Sequence, residues 1–143
     1  MDRFEKWFVL VSLMYLLIGS FLGVIMVTYS TEWKGLEYYL IPSHTHINLL
    51  GWMSMMIFGV AYHVLPRFSG RLLYSRKLAW VHFVLSQVGL VGMALFFFLN
   101  RLQEGEWKNW LMLSGMLMFL SIMLFVFNML KTLCSPQALS QRN

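Results

Sequence analysis

The chain has 143 residues, of which 59% are hydrophobic and 12% are charged, and its mean hydropathy is +0.64. Such a chain has too little polar surface for a water-soluble globule, so the composition is that of an integral membrane protein. The net charge of +5 comes from short segments between apolar runs, and it therefore reflects membrane topology and not nucleic-acid binding.

Four runs without Asp, Glu, Lys or Arg divide the sequence, at residues 7–29, 38–66, 78–100 and 109–130. Each run exceeds the roughly 20 residues that a helix needs to cross the hydrocarbon core. The runs are continuously apolar and do not alternate, which excludes strands, because an open sheet in lipid would leave backbone groups unpaired. We predict an all-α membrane protein, a bundle of four transmembrane helices in one domain over residues 1–134, with helices at about 7–29, 44–66, 78–100 and 109–131.

The first helix is too long for the apolar region of a cleavable signal peptide, and no Ala-x-Ala site follows it, so we expect it to be retained. Within it, Gly19 and Gly23 have the spacing that is typical of close helix contacts. The same spacing occurs in helix dimers and in contacts within one bundle, and the sequence leaves both open.

The second helix carries His44, His46 and His63, and the third helix carries His82 near its start. No other group in the four runs ionises in the physiological range, and ionisable groups inside membrane spans are functional candidates. The absence of Asp and Glu from the runs argues against a proton-coupled transporter.

The fourth helix is rich in methionine, and Met112 and Met116 fall near the depth of His46. Methionine in a membrane bundle is more often a packing residue than a ligand. The single cysteine, Cys134, follows this helix and has no partner for an intramolecular disulfide. Residues 135–143 are polar and begin with Ser-Pro, which predicts a disordered tail.

The distribution of basic residues predicts the orientation of the chain. Eight Lys and Arg residues fall on the side that holds both termini, and three fall on the other: Arg3, Lys6, Arg67, Arg71, Arg76, Lys77, Lys131 and Arg142 against Lys34, Arg101 and Lys108. This bias predicts that both termini are cytoplasmic. Aromatic residues suited to the headgroup region occur at the ends of the runs, namely Trp7, Trp33, Tyr38, Tyr39, Tyr74, Trp107 and Trp110.

The histidines lie at two levels of the membrane. On an ideal helix His44 and His46 point about 200° apart, so they cannot both bind one ion unless the helix unwinds. His46 lies deeper and is the preferred ligand, whereas His44 is close enough to the outer interface to be simply hydrated. A six-coordinate haem at His46 would need a further ligand from a methionine, a partner subunit or the His46 of a second copy, and a dimer is the economical solution.

His63 follows His46 by 17 residues, about 26 Å along a helix, and so marks the inner face of the membrane. His82 begins the next helix at that same face, and an antiparallel hairpin could set the two side chains opposite each other. A haem b at this level could take both imidazoles as iron ligands. Alternatively, both histidines bond to backbone or water at the interface.

Two neighbouring features agree with an inner haem. Arg67 or Arg71 could bind the haem propionates, and Gly59 and Ser86, one turn from the histidines, would leave room for the ring.

Residues 43–52 read Ser-His-Thr-His-Ile-Asn-Leu-Leu-Gly-Trp, and residues 59–67 read Gly-Val-Ala-Tyr-His-Val-Leu-Pro-Arg. This stretch resembles the second helix of the haem-copper oxidase catalytic subunit, subunit I, in its cbb3-type and nitric-oxide-reductase branch. In that family a histidine where this helix enters from the outer face ligates the low-spin haem. The resemblance implies that role for His46 first and His44 second.

The family's other haem and copper ligands lie on later helices that have no counterpart in this chain. The resemblance therefore implies a truncated subunit I, which would not assemble the catalytic binuclear centre alone.

We expect a haem b-binding protein of a bacterial or archaeal cytoplasmic membrane, with one or two haems per protomer or a haem shared across a homodimer. Electron transfer with a respiratory-chain partner, or binding of a diatomic gas or quinone, would be its role. The alternative is an accessory or assembly subunit of a respiratory oxidase that has no cofactor. Metal handling ranks last, because the sequence has no compact Cys, His and Met cluster.

Overall fold

The computed structural model describes residues 3–29 and 35–134 of the chain. This part contains four helices long and apolar enough to cross a membrane: α1 (Arg3–Tyr29), α2 (Leu36–Phe68), α3 (Arg76–Leu102) and α4 (Lys108–Cys134). The described residues form no strand, so the predicted all-α architecture of four membrane-spanning helices is confirmed. The predicted anchor Trp33 and the predicted disordered tail, 135–143, lie outside the described residues.

The helices are longer than the uncharged runs predict, because each continues into neighbouring residues that include charged side chains. Helix α1 begins at Arg3 and not at residue 7, since Phe4 and Phe8 are buried against α2. Helix α2 begins at Leu36 and not at residue 44. The additional helical turns carry polar side chains that the hydropathy pattern assigns to loops. The structure places these side chains in the bundle.

Pro42 lies inside α2 and does not end it. A proline has no N–H, so the carbonyl four residues earlier loses its helical donor. That carbonyl belongs to Tyr38, and the guanidinium of Arg101 on α3 donates a hydrogen bond to it. Arg101 also lies over the Tyr38 ring, 4.3 Å from the ring centroid. The long-range contact thus satisfies the group that the proline leaves unpaired.

The middle of α2 is a π-helix from Ile47 to Ser54. In a π-helix each backbone N–H donates to the carbonyl five residues earlier, which makes the turns wider. The Ser54 hydroxyl also donates to the Leu49 carbonyl, at 2.8 Å. The π-helix begins directly after His46. It therefore changes the register between His46 and the second half of α2, and no simple sequence pattern predicts it.

Glycines allow the helices to approach closely. A Cβ at Gly51 would lie 2.7 Å from the Tyr15 ring of α1, and a Cβ at Gly59 would lie 2.9 Å from Phe8. Gly19 faces Asn48 in the same way. The predicted pair Gly19 and Gly23 therefore makes contacts within one chain.

The four helices alternate in direction. Glu5 at the start of α1 contacts His63 near the end of α2, and Arg71, between α2 and α3, donates to the Leu133 carbonyl at the end of α4. We call this end of the bundle the basic end. Its described charged residues are one acidic and seven basic side chains: Glu5, Arg3, Lys6, Arg67, Arg71, Arg76, Lys77 and Lys131.

Candidate functional site

His46 is held in one orientation by its own helix. Its Nδ1 lies 2.8 Å from the carbonyl oxygen of Pro42, which can only accept, so Nδ1 carries the proton and donates it. The neutral ring then has its lone pair on Nε2. One face of the ring packs against Phe97 of α3, with centroids 4.6 Å apart. The second nitrogen is thus the free coordinating atom of a fixed imidazole.

This arrangement is the one that metal-binding histidines typically have. A ligating imidazole usually donates its other N–H to a carbonyl or carboxylate, which fixes the tautomer and raises the basicity of the ligand. His46 is half-buried, so the residue is not fully enclosed by the bundle. The residues at this level therefore fit an axial ligand of a haem iron, with Nε2 as the donor.

His44 faces a different neighbour, as the two-residue spacing predicts. Its ring lies beside Gly23 of α1, where a Cβ would come within 3.2 Å of it. The amide nitrogen of Asn48 lies 3.4 Å from each ring nitrogen and donates to the His44 carbonyl at 3.0 Å. His44 and His46 thus point to opposite neighbours, α1 and α3, and do not form a joint site.

His82 is the most enclosed histidine, with a relative exposure of 0%. The Tyr62 hydroxyl lies 3.1 Å from its Nδ1, and Nε2 is buried with no hydrogen-bond partner among the described residues. The rings of Phe8, Phe58 and Phe125 surround it at centroid distances of 5.0, 4.8 and 5.5 Å. The hydrogen bonding would suit a ligand, but the packing leaves no opening for a porphyrin at Nε2.

His63 belongs to a separate cluster of charged groups. Its Nδ1 lies 2.8 Å from a carboxylate oxygen of Glu5, which is only 3% exposed. The guanidinium of Arg67 lies 3.9 Å from the other Glu5 oxygen and 2.7 Å from His63 Nδ1. Tyr62, and not His63, is the residue of α2 that is hydrogen-bonded to His82. The structure therefore gives the two inner histidines different partners.

Several residues at these levels escaped the sequence reasoning. Glu5 lies outside the uncharged runs, near the N-terminus, yet it is buried between helices. The four uncharged runs contain no Asp or Glu, but the bundle buries a carboxylate that lies outside them. Tyr62 and Asn48 are ordinary residues in an apolar run, and only their contacts reveal them.

The methionines proposed as a further ligand do not face His46 within one chain. Met112 and Met116 are 60% and 62% exposed, on the side of α4 that is turned away from the other helices. Among the described residues, no group of three or more His, Cys, Asp or Glu side chains could hold a metal ion.

Comparison with known proteins matches this chain to one family. The family model for cytochrome c and quinol oxidase polypeptide I matches residues 3–105. The chain is 40% identical over 68 residues to cytochrome c oxidase subunit 1 of Rhodobacter capsulatus, and 35% identical over 69 residues to a cytochrome c oxidase subunit 1 homolog of Agrobacterium tumefaciens (strain T37). It is 28% identical over 106 residues to the cbb3-type cytochrome c oxidase subunit CcoN1 of Stutzerimonas stutzeri.

These alignments cover 46%, 47% and 68% of this chain, but only 13%, 13% and 21% of the three relatives. No solved structure matches the chain with comparable significance. The resemblance seen in residues 43–67 is thereby confirmed at the level of the family.

Proposed function

Because the chain belongs to the cytochrome c and quinol oxidase polypeptide I family, we propose that it is a haem b-binding integral membrane protein that transfers electrons, in which His46 would hold the haem iron. A bound haem b supplies reversible one-electron chemistry. The chain itself supplies the ligand, its orientation and the apolar surroundings. We place the protein in a bacterial cytoplasmic membrane, with a component of the respiratory chain as its redox partner.

One observation carries this proposal: the hydrogen bond from His46 Nδ1 to the Pro42 carbonyl. It fixes the tautomer in which Nε2 holds the lone pair, and it limits rotation of the ring. His46 lies in the segment that resembles the haem-binding helix of the family, which is a second and independent reason to choose it. His44 is the runner-up, because its ring faces α1.

Mutation of the histidines tests the ligand directly. We expect detergent-purified protein from haem-replete cells to show sharp α and Soret bands after reduction with dithionite. His46→Ala should lose them, because the other imidazole at this level, that of His44, faces α1. Imidazole added to His46→Gly should restore part of the signal, which separates loss of a ligand from loss of the fold.

Three further variants serve as controls in the same spectra. His44→Ala should keep the bands with at most a small shift. His63→Ala and His82→Ala test the inner haem predicted from the sequence, and selective loss in either would move the site to the basic end. A colourless wild type that copurifies with an oxidase would instead favour the accessory or assembly subunit.

We propose that a second copy of the chain would supply a second residue to hold the haem iron. The methionines of α4 are turned away from His46, so a bis-imidazole haem would take His46 from each of two chains. We then expect one haem per two chains, measured by haem extraction and by the mass of the complex in detergent. One haem per monomer would contradict a shared haem and would instead favour binding of a diatomic gas or a nearby quinone.

A further inference from the structure

The helical turn that precedes His46 contains a proline and is closed by a side chain from another helix. Pro42 has no N–H for the Tyr38 carbonyl, and the guanidinium of Arg101 on α3 donates to that carbonyl instead. The Pro42 carbonyl in turn accepts a hydrogen bond from His46 Nδ1, at 2.8 Å. Tyr38, Pro42 and His46 are four residues apart, so the two hydrogen bonds lie in successive turns of α2.

The last turns of α3 contact these turns of α2 at three points. Arg101 lies over the Tyr38 ring, 4.3 Å from its centroid. The Ser43 hydroxyl, which is buried, donates to a backbone carbonyl of α3 at 2.6 Å. Phe97 packs against the His46 ring itself, with the centroids 4.6 Å apart. The segment that leads into His46 is therefore held against α3 at its start, near its middle and at the histidine.

We propose that Arg101 is a positioning residue for the His46 imidazole. By donating to the Tyr38 carbonyl, Arg101 keeps the turn at Pro42 closed, and the closed turn keeps the Pro42 carbonyl within reach of His46 Nδ1. The proton on Nδ1 leaves the lone pair on Nε2, in the tautomer and direction that a ligand needs. This inference rests on the proposed function in one respect, since it takes His46 as the residue that would hold the haem iron.

Arginine suits this role because its guanidinium makes two contacts at once. It donates to the Tyr38 carbonyl while its positive charge lies over the Tyr38 ring. A carbonyl that lacks a donor at this position would have to bind water, and water that enters a helical turn bends the helix. Removal of the guanidinium should therefore open the turn at Pro42 and release His46 from its fixed orientation.

A substitution of the proline makes the role of Arg101 testable by a double-mutant comparison. Pro42→Ala restores an N–H at residue 42, which can donate to the Tyr38 carbonyl within α2, and it keeps the carbonyl that accepts from His46. The guanidinium is then no longer needed to close the turn. We expect Arg101→Gln to disturb His46 in the wild-type background and to leave it undisturbed in the Pro42→Ala background.

The first measurement uses haem-free protein, so its result does not depend on the proposed function. Nitrogen NMR of the full chain in detergent, labelled at histidine, reports which ring nitrogen holds the proton, and His46→Gln assigns the signal. Wild type should show the proton of His46 on Nδ1, whereas Arg101→Gln should show a mixture of both tautomers. Arg101→Lys keeps a cationic donor and should retain most of the wild-type signal. The buried His82 reports in the same spectrum that the bundle is intact.

Titration with haem gives the second readout. Arg101→Gln should lower the affinity for haem by roughly 10-fold, at the lower end of the effect of residues that orient a metal ligand. Pro42→Ala, Arg101→Gln should bind haem as Pro42→Ala does. Lys108→Gln is the matched control, because it removes an exposed positive charge from the same end of the bundle, and it should bind haem as wild type does. The expected tautomers in a protein that binds no haem would support the positioning role and contradict the proposed function.

Three results would overturn the proposal. An unchanged His46 tautomer in Arg101→Gln would show that the ring does not depend on the contact at Tyr38. A loss of haem affinity that persists in the Pro42→Ala background would assign Arg101 to a direct contact with the haem. If Arg101→Gln does not fold, Pro42→Ala, Arg101→Gln should fold, and its failure to fold would equally contradict the role of the guanidinium in closing the turn.

Discussion

Individual side chains in this protein obtain their properties from partners that are far away in the sequence. Glu5 is 58 residues from His63, and the two meet because α1 and α2 are antiparallel. A carboxylate with 3% exposure is costly to desolvate unless a cation or a hydrogen-bond donor compensates for its charge. His63 and Arg67 both approach Glu5, so the three side chains form one unit that closes the basic end.

A double-mutant cycle on Glu5 and His63 tests this unit. We expect Glu5→Gln and His63→Gln each to lower the free energy of unfolding by about 1–2 kcal/mol, because each removes the contact between the buried carboxylate and the imidazole. The estimate is modest because His63 is 33% and Arg67 is 55% exposed. The double variant should cost about 1 kcal/mol less than the sum of the single variants, measured by unfolding in mixed micelles. Strict additivity would show that the two side chains act independently.

At the scale of whole helices, small residues decide which faces meet. Gly89 of α3 lies against the backbone of α4, and a Cβ there would be 2.8 Å from the Met118 nitrogen and 3.0 Å from its Cα. Backbone cannot move aside as a flexible side chain can. The helices of a membrane bundle gain stability chiefly from such close packing, because lipid is as apolar as the helix surface.

Substitution of Gly89 tests the contact between α3 and α4. Gly89→Ala should lower the free energy of unfolding by about 1–3 kcal/mol, since the added methyl group forces the two helices apart. Gly115→Ala on α4 is the matched control, because a Cβ there has no neighbour within 4 Å and alanine favours the helix. Equal stabilities of the two variants, measured by thermal or detergent unfolding, would contradict the packing assignment.

The whole molecule has one basic and one weakly acidic end. Among the described residues, the basic end has seven basic side chains and one acidic one, whereas the opposite end has two basic and three acidic ones, Arg101, Lys108, Glu37, Glu104 and Glu106. Positive charge is retained on the cytoplasmic side of a membrane protein. The start of α1 and the end of α4 both lie at the basic end. The prediction that both termini are cytoplasmic rests on this arrangement.

The single cysteine is a natural reporter of this orientation. Cys134 is exposed at the end of α4. We expect a membrane-impermeant maleimide to label it in inverted membrane vesicles and not in intact spheroplasts, because it lies at the basic end. Glu106→Cys in a Cys134→Ser background should show the reverse pattern. Labelling of Cys134 from outside would reverse the orientation and place the level of His46 on the cytoplasmic side.

Hydropathy alone identified an integral membrane protein and the number of its helices. Each membrane-spanning helix is recognised from a local window of about 20 residues, without knowledge of the residues that it contacts. The same locality made the stretch around His46 recognisable as a family segment and made the four histidines stand out. The helix ends were less accurate, since α1 and α2 extend into segments that hold charge or proline.

Only the tertiary structure decided what each polar side chain contacts. It buried Glu5 beside His63, set Tyr62 and not His63 against His82, and turned the Nδ1 of His46 toward the Pro42 carbonyl. These outcomes depend on the rotation of each helix about its axis and on the π-helix in α2, which changes that rotation between His46 and Tyr62. A sequence records the order of residues along a helix, whereas the packing of four helices fixes the directions in which they point.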